Sequence, residues 1–251
     1  MLESTKHGEP ELERKMAAVR TLAGGLAHEY NNMLAVIIGF TGSALERMDP
    51  GQEIYADLKE VEKAALRAVH FTRKLLVVAG KDMVSTMALN LDREVEKILD
   101  MLRQIAGDDI HLAWQPGKHS DTVKLDPSHV RQILTHLCRN ARDAIHGAGK
   151  IVIETDTVTF DDTDCKGHEE QRPGMYVLLS FKDNGCGMDN PTLARVFEPF
   201  FTTKDVGEGS GLGFSMIYSI VKEANGYIQV SSEPDRGTVV KIYLPVYNGG
   251  R

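Results

Sequence analysis

The chain carries only three cysteines in 251 residues. Cys138, Cys165 and Cys186 are too few and too irregularly spaced for a disulfide framework or a paired zinc knuckle, so they read as free thiols of a reducing compartment. No apolar run approaches the ~20 residues that span a bilayer. The charged opening MLESTKHGEPELERKMAAVR lacks the apolar stretch and small-residue cleavage site of a secretory signal. A cytoplasmic location with no membrane segment is expected. Positive charge is also scarce: the net charge is -7, and no basic stripe with interleaved aromatics runs along the chain. That balance argues against nucleic-acid binding. Internal repeats and low-complexity tracts are absent.

What the chain does have is an ordinary stock of core-forming residues, 42% apolar against 26% charged, and more length than one compact domain usually takes. Between residues 10 and 46, Leu12, Met16, Val19, Ala23, Leu26, Tyr30, Met33, Ile37 and Phe40 follow alternating steps of four and three, a heptad seam. Pro50 and Gly51 interrupt it within Arg47–Gln52. A second helical pattern then runs through Ile54, Leu58, Val61, Ala65, Ala68, Leu75 and Ala79. The two predict an antiparallel helical hairpin. A lone hairpin leaves an apolar stripe uncovered, so pairing of two copies into a four-helix bundle, hence a homodimer, is expected.

After a linker near Val77–Ser85 the pattern changes to shorter elements of mixed period. Helices are expected near Asp92–Ile105, Pro127–His146 and Leu212–Glu223, and strands at Ile151–Phe160, Tyr176–Lys182, Tyr227–Ser232 and Thr238–Pro245. Asp161–Arg172 reads as an exposed turn. Strands in one sheet with helices on one face make an α/β sandwich. The fold class is therefore α+β, divided into a helical domain over residues 1–83 and a sandwich domain over residues 84–251.

His28 stands two residues after Leu26 and two before Tyr30, on the outward face of the first helix. A nucleophile meant for a bulky substrate must be exposed in this way, and so is a plain surface histidine. The adjacent Glu29 can accept the second ring proton and keep the attacking nitrogen unprotonated. Asn32, one turn further on the same face, can orient a water. Both otherwise read as solvated surface residues. Asn32 also occupies the position where a zinc protease helix would carry its second histidine, which excludes that motif. Gly24, Gly25, Gly39 and Gly42 each cost the helix up to ~1 kcal/mol relative to alanine, a cost offset by bending or by close helix packing.

The string GGLAHEYNN followed by this seam resembles the H-box of the histidine kinase dimerisation and phosphotransfer domain, particularly its hybrid-kinase-like branch. Four further segments, spread over roughly residues 87–246, resemble in order the ATP-binding domain of the gyrase, heat-shock and histidine-kinase superfamily. In ILTHLCRNARDAI the resemblance implies that Asn140 turns its side-chain oxygen to Mg2+, an ion that keeps few protein ligands beside phosphates. In DNGCGM it implies that Asp183 accepts a hydrogen bond from the adenine amino group while Gly185 and Gly187 let the backbone come close. Alone, a DNG triplet is more often a turn. FEPFFTTK resembles the aromatic box near the lid: Phe200 and Phe201 pack there or simply fill core, and Lys204 reaches a phosphate. GEGSGLGFSMI carries Gly207, Gly209, Gly211, Leu212 and Gly213 into a helix, so that backbone amides and a helix N-terminus face the triphosphate under a mobile lid. Gly237 and Thr238 complete the pattern.

One residue departs from it. His136 stands where the kinases usually carry asparagine and related ATPases a glutamate base. The missing carboxylate favours a kinase over an ATPase; the imidazole itself suits a phosphate ligand, a weak base or a packing group. The resemblance implies a sensor histidine kinase core, a protein-histidine kinase that uses Mg-ATP to phosphorylate His28 and passes the phosphoryl group to a response-regulator aspartate, with phosphatase action through Asn32. The alternatives are a nucleotide-binding dimeric scaffold, a pseudokinase that His136 would explain, and an ATP-driven conformational switch, against which the His28 helix speaks.

Overall fold

The computed structural model describes residue 14, residue 30 and residues 33–49, 51–78, 86–117, 121–162, 171–204 and 211–247. His28, Glu29, Asn32, Gly24, Gly25, Gly207, Gly209 and Cys165 lie outside the described residues, as do the seam positions from Leu12 to Leu26. The chain divides into two compact units, Glu13–Asp82 and a larger one that holds Met83–Arg251.

In the smaller unit, helix α1 covers residues 33–46 and helix α2 covers Glu53–Val78. Between them the Asp49 carboxylate accepts the Gly51 N–H at 2.9 Å, and its carbonyl accepts Gln52 N–H at 3.0 Å. An Asx turn thus stops the first helix before the second starts. Leu34, Thr41 and Leu45 are buried on α1, and Ala65 and Thr72 on α2. The expected seam residues Tyr30, Met33, Ile37 and Phe40 are instead exposed, as are Val36, Ile54, Val61 and Leu66. In the single chain the seam is therefore left uncovered. α1 has apolar side chains on adjacent stripes, and the stripe that covers the interior of the unit is the one offset by a single residue from the heptad seam.

The larger unit begins with strand β1 (Met87–Asn90) and helix α3 (Leu91–Ala106), followed by β2 (Ile110–Gln115), β3 (Thr122–Leu125) and α4 (Pro127–Ala144). It continues through β4 (Gly149–Phe160), β5 (Gly174–Asp183), short α5 (Asn190–Ala194), α6 (Gly213–Glu223), β6 (Tyr227–Ser232) and β7 (Thr238–Pro245). Local chemistry sets the helix starts. Asn90 caps α3 by accepting Arg93 N–H at 3.0 Å, and Asp126 caps α4 by accepting Ser128 N–H at 2.7 Å with Pro127 in the first turn.

Five strands form one sheet in the order β2-β4-β5-β7-β6. Only the β2–β4 pair is parallel, so the sheet is mixed. β1 and β3 make a separate antiparallel pair. Register puts Ile153 opposite Phe181 and Phe181 opposite Val240, and Thr155, Leu179 and Ile242 form the next row on the same face. These side chains are buried, each aliphatic or aromatic one contributing ~1.5–3 kcal/mol relative to exposure. The buried stripes of the helices supply the other half of the core: Val95, Ile98 and Leu102 of α3, Ile133, Leu134 and Leu137 of α4, and Met216, Ile217 and Ile220 of α6. On the opposite face Tyr176, Tyr227 and Tyr243 cluster with Phe160, Tyr227 stacking on Tyr243 with centroids 4.3 Å apart. The expected longer strands and helices are present. β1, β2, β3 and α5 were not expected, and α4 ends at Ala144, where Ile145 turns extended.

Candidate functional site

Asp183 is the last residue of the central strand β5 and is 8% exposed. Its Oδ1 accepts the Gly185 N–H at 2.8 Å and the Thr238 N–H at 3.3 Å. Burial pushes its pKa above the ordinary aspartate value, and the two N–H donors offset only part of that shift. A carboxylate is thereby held at the carboxyl end of the sheet by backbone donors from both sides.

The loop after Asp183 is fixed to two other elements. Cys186 N–H bonds to the Ala144 carbonyl at 2.9 Å, and a β-carbon at Gly185 would stand 2.8 Å from the Ala144 β-carbon. The loop therefore lies against the carboxyl end of α4, where any side chain at position 185 would intrude. On its other side Gly187 has φ 67°, and a β-carbon there would overlap the Glu233 carbonyl oxygen. The buried Ser232 hydroxyl accepts Met188 N–H at 2.8 Å and donates to the Gly237 carbonyl at 2.8 Å, tying the loop to the β6–β7 turn. Asn184 accepts Lys150 N–H at 2.7 Å, a bond that brings β4 to the same corner. Asn184 lies within DNGCGM but was given no role of its own, and Ser232 carries no local sequence signal beyond a polar residue in a strand.

A second group of site residues gathers where α6 starts. Leu212 is its N-cap residue, buried and without a side-chain cap bond, so the first turn presents backbone N–H groups and the positive end of the helix dipole. A β-carbon at Gly213 would lie 3.4 Å from His136 Nδ1 and 4.0 Å from Asn140 Nδ2. The α6 N-terminus, His136 and Asn140 therefore meet at one point. Just before it, Gly211 has φ 62°, its carbonyl accepts Phe200 N–H at 2.9 Å, and a side chain there would overlap the Phe200 backbone.

The FEPFFTTK segment follows α5. Phe200 is not core: it is 53% exposed with φ 67°, a sparsely allowed conformation for an aromatic residue. Phe201 is half-buried beneath the Arg195 guanidinium, 4.2 Å from the ring centroid. The aromatic that packs on α6 is Phe197, with ring centroids 5.3 Å from Tyr218 and 6.1 Å from Phe214. Lys204 pairs with the Asp143 carboxylate, three residues after Asn140 on α4. Burial alone would raise the Asp143 pKa, but Lys204 and Arg142 together hold it below the ordinary value.

Asp183, Gly185, Gly187 and Thr238 are thus brought together at one corner of the sheet. Asn140, Gly211, Leu212 and Gly213 converge at another, and α4 runs past both. Gly209 lies outside the described residues, with His28, Glu29 and Asn32. Among the described residues no group of three or more His, Cys, Asp or Glu side chains could hold a metal ion.

Residues 125–248 match the family described as histidine kinase-, DNA gyrase B-, and HSP90-like ATPase. The chain is 34% identical over 232 residues to the sensor kinase CckA of Brucella abortus, covering 92% of this chain and 25% of that protein. To the sensor histidine kinase ZraS of Escherichia coli K12 it is 30% identical over 239 residues, covering 95% of this chain and 48% of that protein. The crystal structure of full-length ShkA in complex with AMPPNP shares the fold, with a TM-score of 0.67 at 19% identity over 92% of this chain and 47% of that chain. The chain spans about a quarter to a half of the length of these two curated relatives.

Proposed function

We propose, on the premise that this chain contains a histidine kinase ATP-binding catalytic core and that its residues 125–248 belong to the histidine kinase-, DNA gyrase B- and HSP90-like ATPase family, that it is a protein-histidine kinase. It uses Mg-ATP to phosphorylate His28 and passes the phosphoryl group to an aspartate of a response-regulator receiver. The observation that carries the reading is the pairing of a fixed carboxylate at Asp183 with an uncapped α6 N-terminus beside Asn140. One suits the adenine amino group and the other the triphosphate.

The residues present fit a magnesium ion that arrives with the nucleotide. Asn140 offers one hard amide oxygen, and an ion of this kind takes its remaining ligands from phosphates and water. The cation would neutralise charge on the triphosphate. A ring nitrogen of His28 attacks the γ-phosphorus, the bond to the bridging oxygen breaks, ADP leaves, and Glu29 holds the proton on the other ring nitrogen. Asn32 serves the reverse duty of orienting water against a phosphorylated receiver. The exposed apolar residues Met33, Ile37 and Phe40 of α1, with Tyr30 before it, are the homodimer seam and would be covered by a second copy in a four-helix bundle. No helix among the described residues is long and apolar enough to cross a membrane, and we place the domain in the cytoplasm with the receiver it serves.

Incubating the chain with Mg2+ and γ-labelled ATP is expected to give an acid-labile, base-stable label that His28→Gln abolishes. An absent label on the native chain, or a label that survives His28→Gln, overturns the kinase reading and leaves the nucleotide-binding scaffold.

A further inference from the structure

The nucleotide-site reading uses Asn140 on one side of Asp143 and the loop against Ala144 on the other, and gives Asp143 itself no task. Asn140, Asp143 and Ala144 are spaced by three and four residues, so they share one face at the carboxyl end of α4. Asn140 meets the start of α6, its amide nitrogen 4.0 Å from the β-carbon position of Gly213. Ala144 meets the adenine corner: its carbonyl accepts Cys186 N–H at 2.9 Å, and its β-carbon bars a side chain at Gly185. Asp143 therefore lies on the stretch of α4 that joins the place proposed for the triphosphate to the place proposed for the base.

The two oxygens of this carboxylate have separate partners. Oδ1 accepts from Arg142 Nε at 3.3 Å and from Arg142 Nη2 at 3.0 Å, whereas Oδ2 accepts from Lys204 Nζ. Arg142 thus fixes the carboxylate, and the carboxylate fixes the ammonium. The Lys204 backbone is turned toward it by its own N–H, which donates to Thr202 Oγ1 at 3.1 Å. The same segment is anchored four residues earlier, where Phe200 N–H donates to the Gly211 carbonyl just before α6. An ammonium has three donors, so Lys204 can keep its bond to Asp143 and give another to a phosphate. One carboxylate against two cations leaves the trio net positive, which attracts a polyanion.

We propose that Asp143 is a positioning residue of the nucleotide site, holding the Lys204 ammonium where it meets the phosphate chain of the bound nucleotide. The inference rests on the ATP-site reading, and it adds to a phosphate contact by Lys204 the group that aims it. A lysine stem samples many rotamers, and ordering it at the moment of binding weakens affinity; Asp143 does that ordering beforehand. Both side chains of the pair are about one-third exposed, and an ion pair in that setting contributes little to folding. Substitutions at either position therefore read out on the ligand and leave the fold in place.

The test titrates the full chain calorimetrically with AMPPNP in Mg2+ and with adenosine, which carries the base and no phosphate. Lys204→Gln is expected to lower AMPPNP affinity by roughly tenfold or more, the loss of a charged hydrogen bond. Asp143→Ala should lower it roughly two- to twelvefold, the cost of ordering one long side chain. Adenosine affinity should hold in both variants, and Asp143→Ala should weaken AMPPNP no further in the Lys204→Gln background. Thermal melts by circular dichroism keep a loss of fold separate from a loss of ligand, and Asp143→Asn, which keeps the shape and removes the charge, serves where Asp143→Ala melts early. The positioning role is overturned if Asp143→Ala leaves AMPPNP affinity unchanged or raises it, weakens adenosine equally, or acts just as strongly in the Lys204→Gln background; the ATP site then stands. If the native chain binds neither AMPPNP nor adenosine, the ATP-site reading falls as well.

Discussion

The Asp183 carboxylate accepts a hydrogen bond from the Thr238 N–H across 55 residues of sequence. Strand β7 pairs with β5, so the start of β7 lies beside the end of β5 and the carboxylate is held by backbone rather than by a flexible side chain. Removing its charge should cost binding more than folding. In Asp183→Asn the amide oxygen can still accept from Gly185 and Thr238, but the amide nitrogen then faces the adenine amino group, donor against donor. A charge-assisted hydrogen bond of this kind contributes ~1.5–3 kcal/mol, so AMPPNP affinity should fall roughly ten- to 150-fold by calorimetry. An unchanged affinity would remove Asp183 from the site.

The same carboxylate sets a pH dependence. Burial raises its folded-state pKa above the ordinary aspartate value. The folded protein therefore holds this proton more tightly than the unfolded chain, and ionising Asp183 opposes folding at neutral pH. As pH falls through the folded pKa, the Asp183 contribution to stability increases while nucleotide affinity weakens. Chemical denaturation of native chain and Asp183→Asn, compared from neutral pH downward, should show the native chain gaining on the variant. A gap that widens in the variant's favour as pH falls reverses the sign and excludes the argument.

Gly187 is tested by alanine. Its φ of 67° is left-handed, and a β-carbon would overlap the Glu233 carbonyl oxygen. The conformation alone costs an L-residue about 1–2 kcal/mol, and relieving the overlap moves the loop that carries the Gly185 N–H. Gly187→Ala should lower the unfolding free energy from urea titration by at least that amount and weaken AMPPNP binding with it. Full retention of both would mean that the loop is free to shift.

How far the sequence reveals this architecture depends on the range of the interactions involved. Asp126 and Pro127 announce the start of α4 because capping is local, and the alternation through Ile151, Ile153 and Thr155 announces β4. β1 and β3, each four residues long, show no period to read, and exist because they pair with each other. The glycines of the site were legible as a pattern. The Ser232 hydroxyl that ties them together was not, since its partners Met188 and Gly237 come from both sides of it in sequence. The α1 seam through Met33, Ile37 and Phe40 was legible, but the stripe Leu34, Thr41 and Leu45 that is buried within the unit was not, because it lies beside the seam and periodicity cannot choose between neighbouring stripes.

Asp143 links Lys204 to α4, and its pKa lies below the ordinary value because Lys204 and Arg142 outweigh the effect of burial. The stability it contributes is present above the unfolded-state pKa and is lost as pH falls through the folded one. With both side chains about one-third exposed, solvent screening keeps the contribution near 0.2–1 kcal/mol. A double-mutant cycle of Asp143→Asn and Lys204→Gln should return a coupling of that size at neutral pH and none once Asp143 is protonated. A coupling that persists in acid would show that charge is not what joins the two residues.

The exposed face of α1 gives the last prediction. Phe40 is 76% exposed in the single chain, and Met33, Val36 and Ile37 surround it with further apolar surface. Exposed apolar surface concentrated on one helix face is characteristic of an interface, and a stripe carried by a two-helix unit is covered most simply by another such unit. Sedimentation equilibrium of the native chain should therefore show a dimer. Burying a phenylalanine contributes ~1.5–3 kcal/mol, and Phe40→Glu removes that and adds an unpaired charge, so the dissociation constant should rise by well over tenfold. Leu34→Ala acts on the buried stripe of the same helix; it should lower the melting temperature of the chain and perturb association less. If Phe40→Glu leaves the dimer intact, or the native chain is a monomer, the seam lies elsewhere and the four-helix bundle is wrong.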